Sequence, residues 1–162
     1  MNTNDFPDII SSAIIPSQYD VEWQQLPPIF ESIMPKPVLF LVQPLTPDSP
    51  DEKIVIEKLI RGCGISEHEY NLLFPEPGTV SWNKIREHCQ PATVVLIGIL
   101  PSQLGIDASF VLNEVNFFDH CIFIPTVSVA AMELNKAHKE QLWNKALKPV
   151  LKDKVITLPF NS

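Results

Sequence analysis

At 162 residues the chain is long enough for one domain with a sizeable core, and its 45% hydrophobic and 19% charged content fits a soluble globular protein. Twelve Lys and Arg face nineteen Asp and Glu, for a formal charge of −7, which argues against a broad footprint on phosphate backbones; direct nucleic-acid contact is expected to be weak or absent. Residues 38–42 and 93–100, the longest apolar runs, are strand-sized, and MNTNDFPD lacks the basic and apolar regions of a signal peptide, so we expect a cytoplasmic protein without a membrane span.

Residues 1–36 form a first, Pro-rich segment, punctuated by Pro7, Pro16, Pro27, Pro28 and Pro35. Within it Phe6, Ile9, Ile10, Ala13 and Ile14 recur at helical spacing, which predicts a short amphipathic helix, either packed on its own domain or docked on a partner. Residues 37–162 then read as a single α/β domain.

Val38-Leu-Phe-Leu-Val42 is a continuous apolar run, as a strand buried on both faces requires. The loop Gln43-Pro-Leu-Thr-Pro47 follows it, and Ser49-Pro50-Asp51-Glu52 supplies an N-cap hydroxyl, a proline for the first helical position and the acid of a capping box. That helix carries Ile54, Val55, Leu59 and Ile60 and stops at Gly62 and Gly64. Residues 70–74 read as a second strand, with a proline turn after it. Thr79 and Ser81 are candidate caps for a helix through His88, in which Trp82 lies three residues before Ile85 and reads as core. Residues 93–99 and 121–124 are the third and fourth strands, and residues 130–152 the last helix. Residues 155–160 either add an edge strand or cover the sheet. Alternating β and α units with continuous apolar strands predict a three-layer α/β fold, with a mostly parallel sheet of about four strands and helices on both faces.

Cys63, Cys89 and Cys121 are odd in number, form no CxxC pair and lie in or beside apolar segments, as reduced buried thiols would. His88-Cys89 and His120-Cys121 would bind a metal only if folding gathered them with His68; without short ligand spacing, we expect no metal and no cofactor. Lys136, Lys139, Lys145, Lys148, Lys152 and Lys154 are interspersed with acids and read as a solvated helix face.

Leu59-Ile-Arg-Gly-Cys-Gly-Ile-Ser66, then Glu69-Tyr-Asn-Leu-Leu-Phe74 and Pro75-Glu-Pro77, resembles the helix, strand and proline turn of the uracil-DNA glycosylase superfamily. Ile124-Pro-Thr-Val-Ser128 and the helix after it do so too, and the likeness covers about residues 37–150. The resemblance implies a crevice holding a water-positioning residue after the first strand, a base-reading amide after the second, and a His-Pro-Ser turn whose histidine stabilises an oxyanion.

In this sequence those positions hold Gln43, Thr46 and Asp48, then Phe74 with Asn71 three residues early, then Thr126 and Ser128 without the histidine; His120 is at the other end of the strand. We therefore expect a degenerate pocket, with no catalytic residue. The chain is also similar to the psi subunits of bacterial DNA polymerase III, a glycosylase-like family without glycosylase activity, through its strand, proline loop, helix, short strand and a closing helix containing Leu142-Trp143. That likeness implies a non-catalytic interaction protein of DNA replication with clamp-loader subunits as partners, and contact candidates Phe6, Ile9, Ile10, Trp23 and Trp143. The alternatives are a divergent glycosylase or small hydrolase using Asp48, Ser128 and His138, and an orphan domain sharing only this fold.

Overall fold

The computed structural model describes residues 30, 33–46, 50–76 and 78–158. The chain divides into two units, residues 1–31 and 32–162. Phe6, Ile9, Ile10 and Trp23 lie outside the described residues, as do Asp48 and the cap candidate Ser49. All that follows concerns the second unit.

Five strands form one sheet: β1 (Val38–Val42), β2 (Tyr70–Leu73), β3 (Thr93–Ile97), β4 (Asn116–Phe118) and β5 (Cys121–Thr126). Their order is β2-β1-β3-β5-β4, and every pairing is parallel except β4 with β5. Strands β1, β3 and β5 are buried throughout, as their unbroken apolar runs require. Helices α1 (Pro50–Gly62) and α2 (Trp82–Cys89) occupy the first two crossovers. α3 (Val129–Leu134), α4 (Lys136–Leu142) and a π-helical segment, Trp143–Lys152, follow β5.

The alternation of side chains along the strands divides the core. Phe40, Val95 and Ile124 point to one face, where Ile56 and Ile60 of α1 and Met132, Leu142 and Leu147 of the C-terminal helices cover them. On the other face Phe123 meets Trp82 of α2 edge to face, ring centroids 4.9 Å apart, with Phe110 and Phe118 beside it. Helices thus cover both faces, as the sequence predicts. No helix among the described residues is long and apolar enough to cross a membrane.

Several expectations need correction. The sheet has five strands, not about four, because β4 adds an antiparallel edge. Only Asp119 and His120 separate β4 from β5, both at positive φ (51° and 61°), and Phe118 faces Cys121 across the turn. Two central residues at positive φ make the tight hairpin turn that Asn-Gly normally signals, so Asp-His conceals it. The Asp119 carboxylate anchors the turn, accepting from Trp82 Nε1 at 2.7 Å and Arg86 Nη1 at 2.6 Å.

The last helix is three pieces rather than one over 130–152. Asn135 turns extended (φ −139°, ψ 99°) and its side chain caps α4 by accepting from Ala137 N–H. Pro149, which has no N–H to give, sits in the π-helical stretch that ends with Asp153 N–H bonded to Lys148 C=O. Residues 155–158 add no strand; Ile156 and Leu158 pack against the core. Elsewhere the local signals hold: Ser81 caps α2 through Lys84 N–H, Trp82 is buried, and α1 begins at Pro50. Strands β2 and β3 end one and two residues earlier than expected, and β5 runs two residues further.

Candidate functional site

The chain runs from β1 outward to β2 and then back across to β3, so the order reverses between β1 and β3; the crevice beyond their carboxyl ends is where open α/β sheets hold ligands. Backbone bonds draw that end together: Gln43 N–H donates to Ile97 C=O at 2.9 Å, and Gly98 N–H to Thr126 C=O at 3.1 Å. Gly98 has φ 75°, and a Cβ there would lie 2.7 Å from Gln43 Oε1 and 3.1 Å from Ser128 Cα. Glycine is therefore required on two counts, backbone conformation and space.

Pockets of roughly 300–1,000 Å³ suit small ligands, and this crevice measures about 430 Å³. Gln43, Thr126 and Ser128 meet at it, with Phe110, Leu100 and Leu112 completing an apolar wall. None of its described lining residues is an Asp, Glu, His, Cys, Lys or Arg. Leu100 and Leu112 are 65% and 45% exposed, so the rim itself is apolar.

Thr46 joins Gln43 and Ser128 in an adjoining recess of about 130 Å³, where Glu52 supplies a carboxylate. Glu52 Oε1 accepts the Thr46 N–H at 3.2 Å, which ties the loop after β1 to the first turn of α1. Phe74 lines neither space; it stands partly exposed just past β2. The Asn71 amide is turned inward and donates to Met34 C=O at 2.9 Å, a structural bond.

The polar side chains at the crevice are engaged in holding the fold. Ser128 Oγ accepts from Ala131 N–H and caps α3. Thr126 is buried, and its hydroxyl donates to Asn113 Oδ1 at 2.6 Å. Asn113, itself 2% exposed and at φ 61°, passes the connection on: its Nδ2 lies 3.1 Å from His138 Nδ1 and 3.4 Å from Gln141 Oε1. His138 is accordingly half-buried in a structural network, not the solvated residue that its Lys-rich helix suggests. Asn113 and Gly98 escaped sequence reasoning, since a lone Asn or Gly in a loop signals only a turn.

A second concavity, about 450 Å³, lies between α1 and the C-terminal helices. α1 contributes Ile54, Val55, Lys58, Leu59 and Gly62, a stripe at helical spacing; Trp143 and Leu147 face it, with Glu133 and Lys139 at the rim. Trp143 is half-buried, its ring 3.7 Å from where a Cβ on Gly62 would stand, and Lys152 Nζ lies 5.7 Å from the ring centroid. Lys139 Nζ bonds Glu133 Oε2 at 3.0 Å.

The thiols are equally committed to the interior. Cys63, Cys89 and Cys121 are free and buried, and burial pushes each up to about 11; for Cys121 the Asp119 carboxylate adds to the rise and Arg86 opposes it. Cys63 Sγ donates to Leu59 C=O and Cys121 Sγ to Pro91 C=O, both at 3.3 Å. Neutral thiols are poor nucleophiles and poor ligands. No group of three or more His, Cys, Asp or Glu among the described residues could hold a metal ion. Compared with known proteins, the chain matches no family model and no curated sequence.

Proposed function

We propose that the chain is a non-catalytic protein-interaction subunit with a glycosylase-like fold, a cytoplasmic, psi-like accessory of a DNA replication clamp loader. The observation that carries the reading is the crevice at the strand ends: the place where a hydrolase of this architecture would keep its acid, base or oxyanion donor is walled by apolar side chains, and its hydroxyls are spent on a helix cap and a buried network. The reduced, buried thiols suit a cytoplasmic protein, and the exposed leucines at the crevice rim together with Trp143 suit contact with other proteins.

The test is affinity capture from the native cell lysate with the full chain and with a version lacking residues 1–25. Clamp-loader subunits identified with the full chain support the reading, and their loss on truncation places the docking segment in residues 1–25. Their absence from both captures counts against it. The competing reading, a divergent glycosylase or other small hydrolase, rests on Glu52 in the recess beside the crevice. Uracil excision from single-stranded DNA that disappears in Glu52→Gln would replace our reading with that one.

A further inference from the structure

The groove between α1 and the C-terminal helices differs in charge from the rest of the chain. Residues 50–62 and 129–154 hold nine of the twelve Lys and Arg but six of the nineteen Asp and Glu, a net of +3; the remaining three basic and thirteen acidic residues give −10. At the groove itself Glu133 is neutralised by Lys139, while Lys58 on the α1 wall and Lys152 above the Trp143 ring form no ion pair among the described residues. Cations beside an open apolar floor attract a ligand that is apolar on one side and anionic on its flanks.

The floor has a length as well as a sign. The α1 stripe runs from Ile54 to Gly62, which at 1.5 Å per residue is about 12 Å, or roughly two helical turns. Trp143 forms the opposite wall, with Leu147 fully buried at its base. A groove between two helices of that length accepts the apolar face of a third, with anchors one turn apart. Trp143 is the kind of partly buried aromatic that dominates such contacts.

We propose that this groove binds an acidic amphipathic helix of a partner protein, its apolar anchors against Ile54, Leu59 and Trp143 and its carboxylates toward Lys58 and Lys152. The assignment rests on the interaction-subunit reading and names the partner chemistry at one site of that subunit. Gly62 is the natural place to test it. The residue ends α1, takes no positive φ, and a Cβ there would make only van der Waals contact with Trp143, so Gly62→Leu fills the groove while leaving the backbone unstrained.

The probe is a labelled, end-capped helical peptide of about 16 residues with Leu, Phe and Trp anchors and Glu on both flanks, compared with a twin carrying Lys for Glu. Fluorescence anisotropy with the full chain should show the acidic peptide binding about tenfold or more tighter than its twin, weakening as salt is raised. Gly62→Leu should reduce that affinity about tenfold, while Leu100→Asp, at the crevice and outside the groove lining, leaves it unchanged. Equal binding of the two peptides, or binding indifferent to Gly62→Leu, overturns the proposal. So does a concentration-dependent dimer abolished by Gly62→Leu without peptide binding, which would assign the groove to a second copy. Clamp-loader capture unaffected by Gly62→Leu would leave the replication reading standing and remove the groove from it. Peptide binding without such capture would do the reverse.

Discussion

The two large concavities are nearly equal in size, about 430 and 450 Å³, yet they are built on opposite terms. The crevice at the strand ends occupies the ligand position of an open α/β sheet, but its backbone is locked by Gly98 and its hydroxyls serve the fold. The groove beside α1 holds no privileged place in the topology, yet it has the exposed apolar floor, the aromatic and the cations. Position in a fold proposes a site, and the free chemistry of its lining decides whether anything is done there.

The largest expected effect would break the crevice side of this contrast. Asn113→Ala leaves the buried Thr126 hydroxyl without its acceptor, strips His138 of its neighbour and puts alanine at φ 61°. About 3 kcal/mol of stability should be lost in urea unfolding. A loss below about 1 kcal/mol would mean the network is not what occupies those groups.

Gly98→Ala should cost about 2–3 kcal/mol, because the new methyl meets the Ser128 backbone as well as the Gln43 side chain. Adding Gln43→Ala should recover only part of it, since the Ser128 contact and the positive φ remain.

The next effect is set by pH. An unfolded thiol ionises near 9.0 and a buried one near 11, so over that interval the native state retains protons the unfolded state has lost. Stability is therefore at its full thiol contribution below pH 9 and falls as pH rises toward 11, by about 2 kcal/mol per thiol. Cys63→Ala should remove its share of the slope; an unchanged slope would show that this thiol, which belongs to the core beside the groove, does not take part.

The smallest expected effect sharpens the groove side. Lys152→Ala removes the cation near Trp143 and should cost about 0.5 kcal/mol or less, while still weakening binding of an acidic peptide. A large stability loss would mean that Lys152 is structural, and that the groove resembles the crevice in having its charges already committed.

Much of this fold is legible in the sequence because its signals are local. The buried strands announce themselves as continuous apolar runs, α1 begins at the proline its cap pattern predicts, and Ser81 caps the helix that follows it. β4 was hidden because the turn that makes it depends on a long-range anchor, the Asp119 carboxylate held by Trp82 and Arg86, in place of a turn-forming glycine. At the candidate site, the resemblance puts Gln43, Thr126 and Ser128 just past strand ends, and they line one crevice because the carboxyl ends of parallel strands share one edge of the sheet. Gly98, Asn113 and the α1 wall were not legible, because their roles depend on what approaches them in space. The break at Asn135 belongs with these, because a helical pattern continues across the residue that caps α4.

The Asp119–His120 turn also bears on the sequence of events in folding. It joins the sheet's one antiparallel pair through two residues, whereas every parallel pair must wait for a long crossover to close. Hairpins of this kind close within microseconds in isolation, and this one presents Phe118 and Phe123 together as soon as it does. Strand β5 would then enter the sheet already paired on one side, with β3 left to dock on the other. In pulse-labelled hydrogen exchange the amides of 116–123 should gain protection before those of 38–42, an order that Asp119→Ala, by releasing the turn from Trp82 and Arg86, should erase.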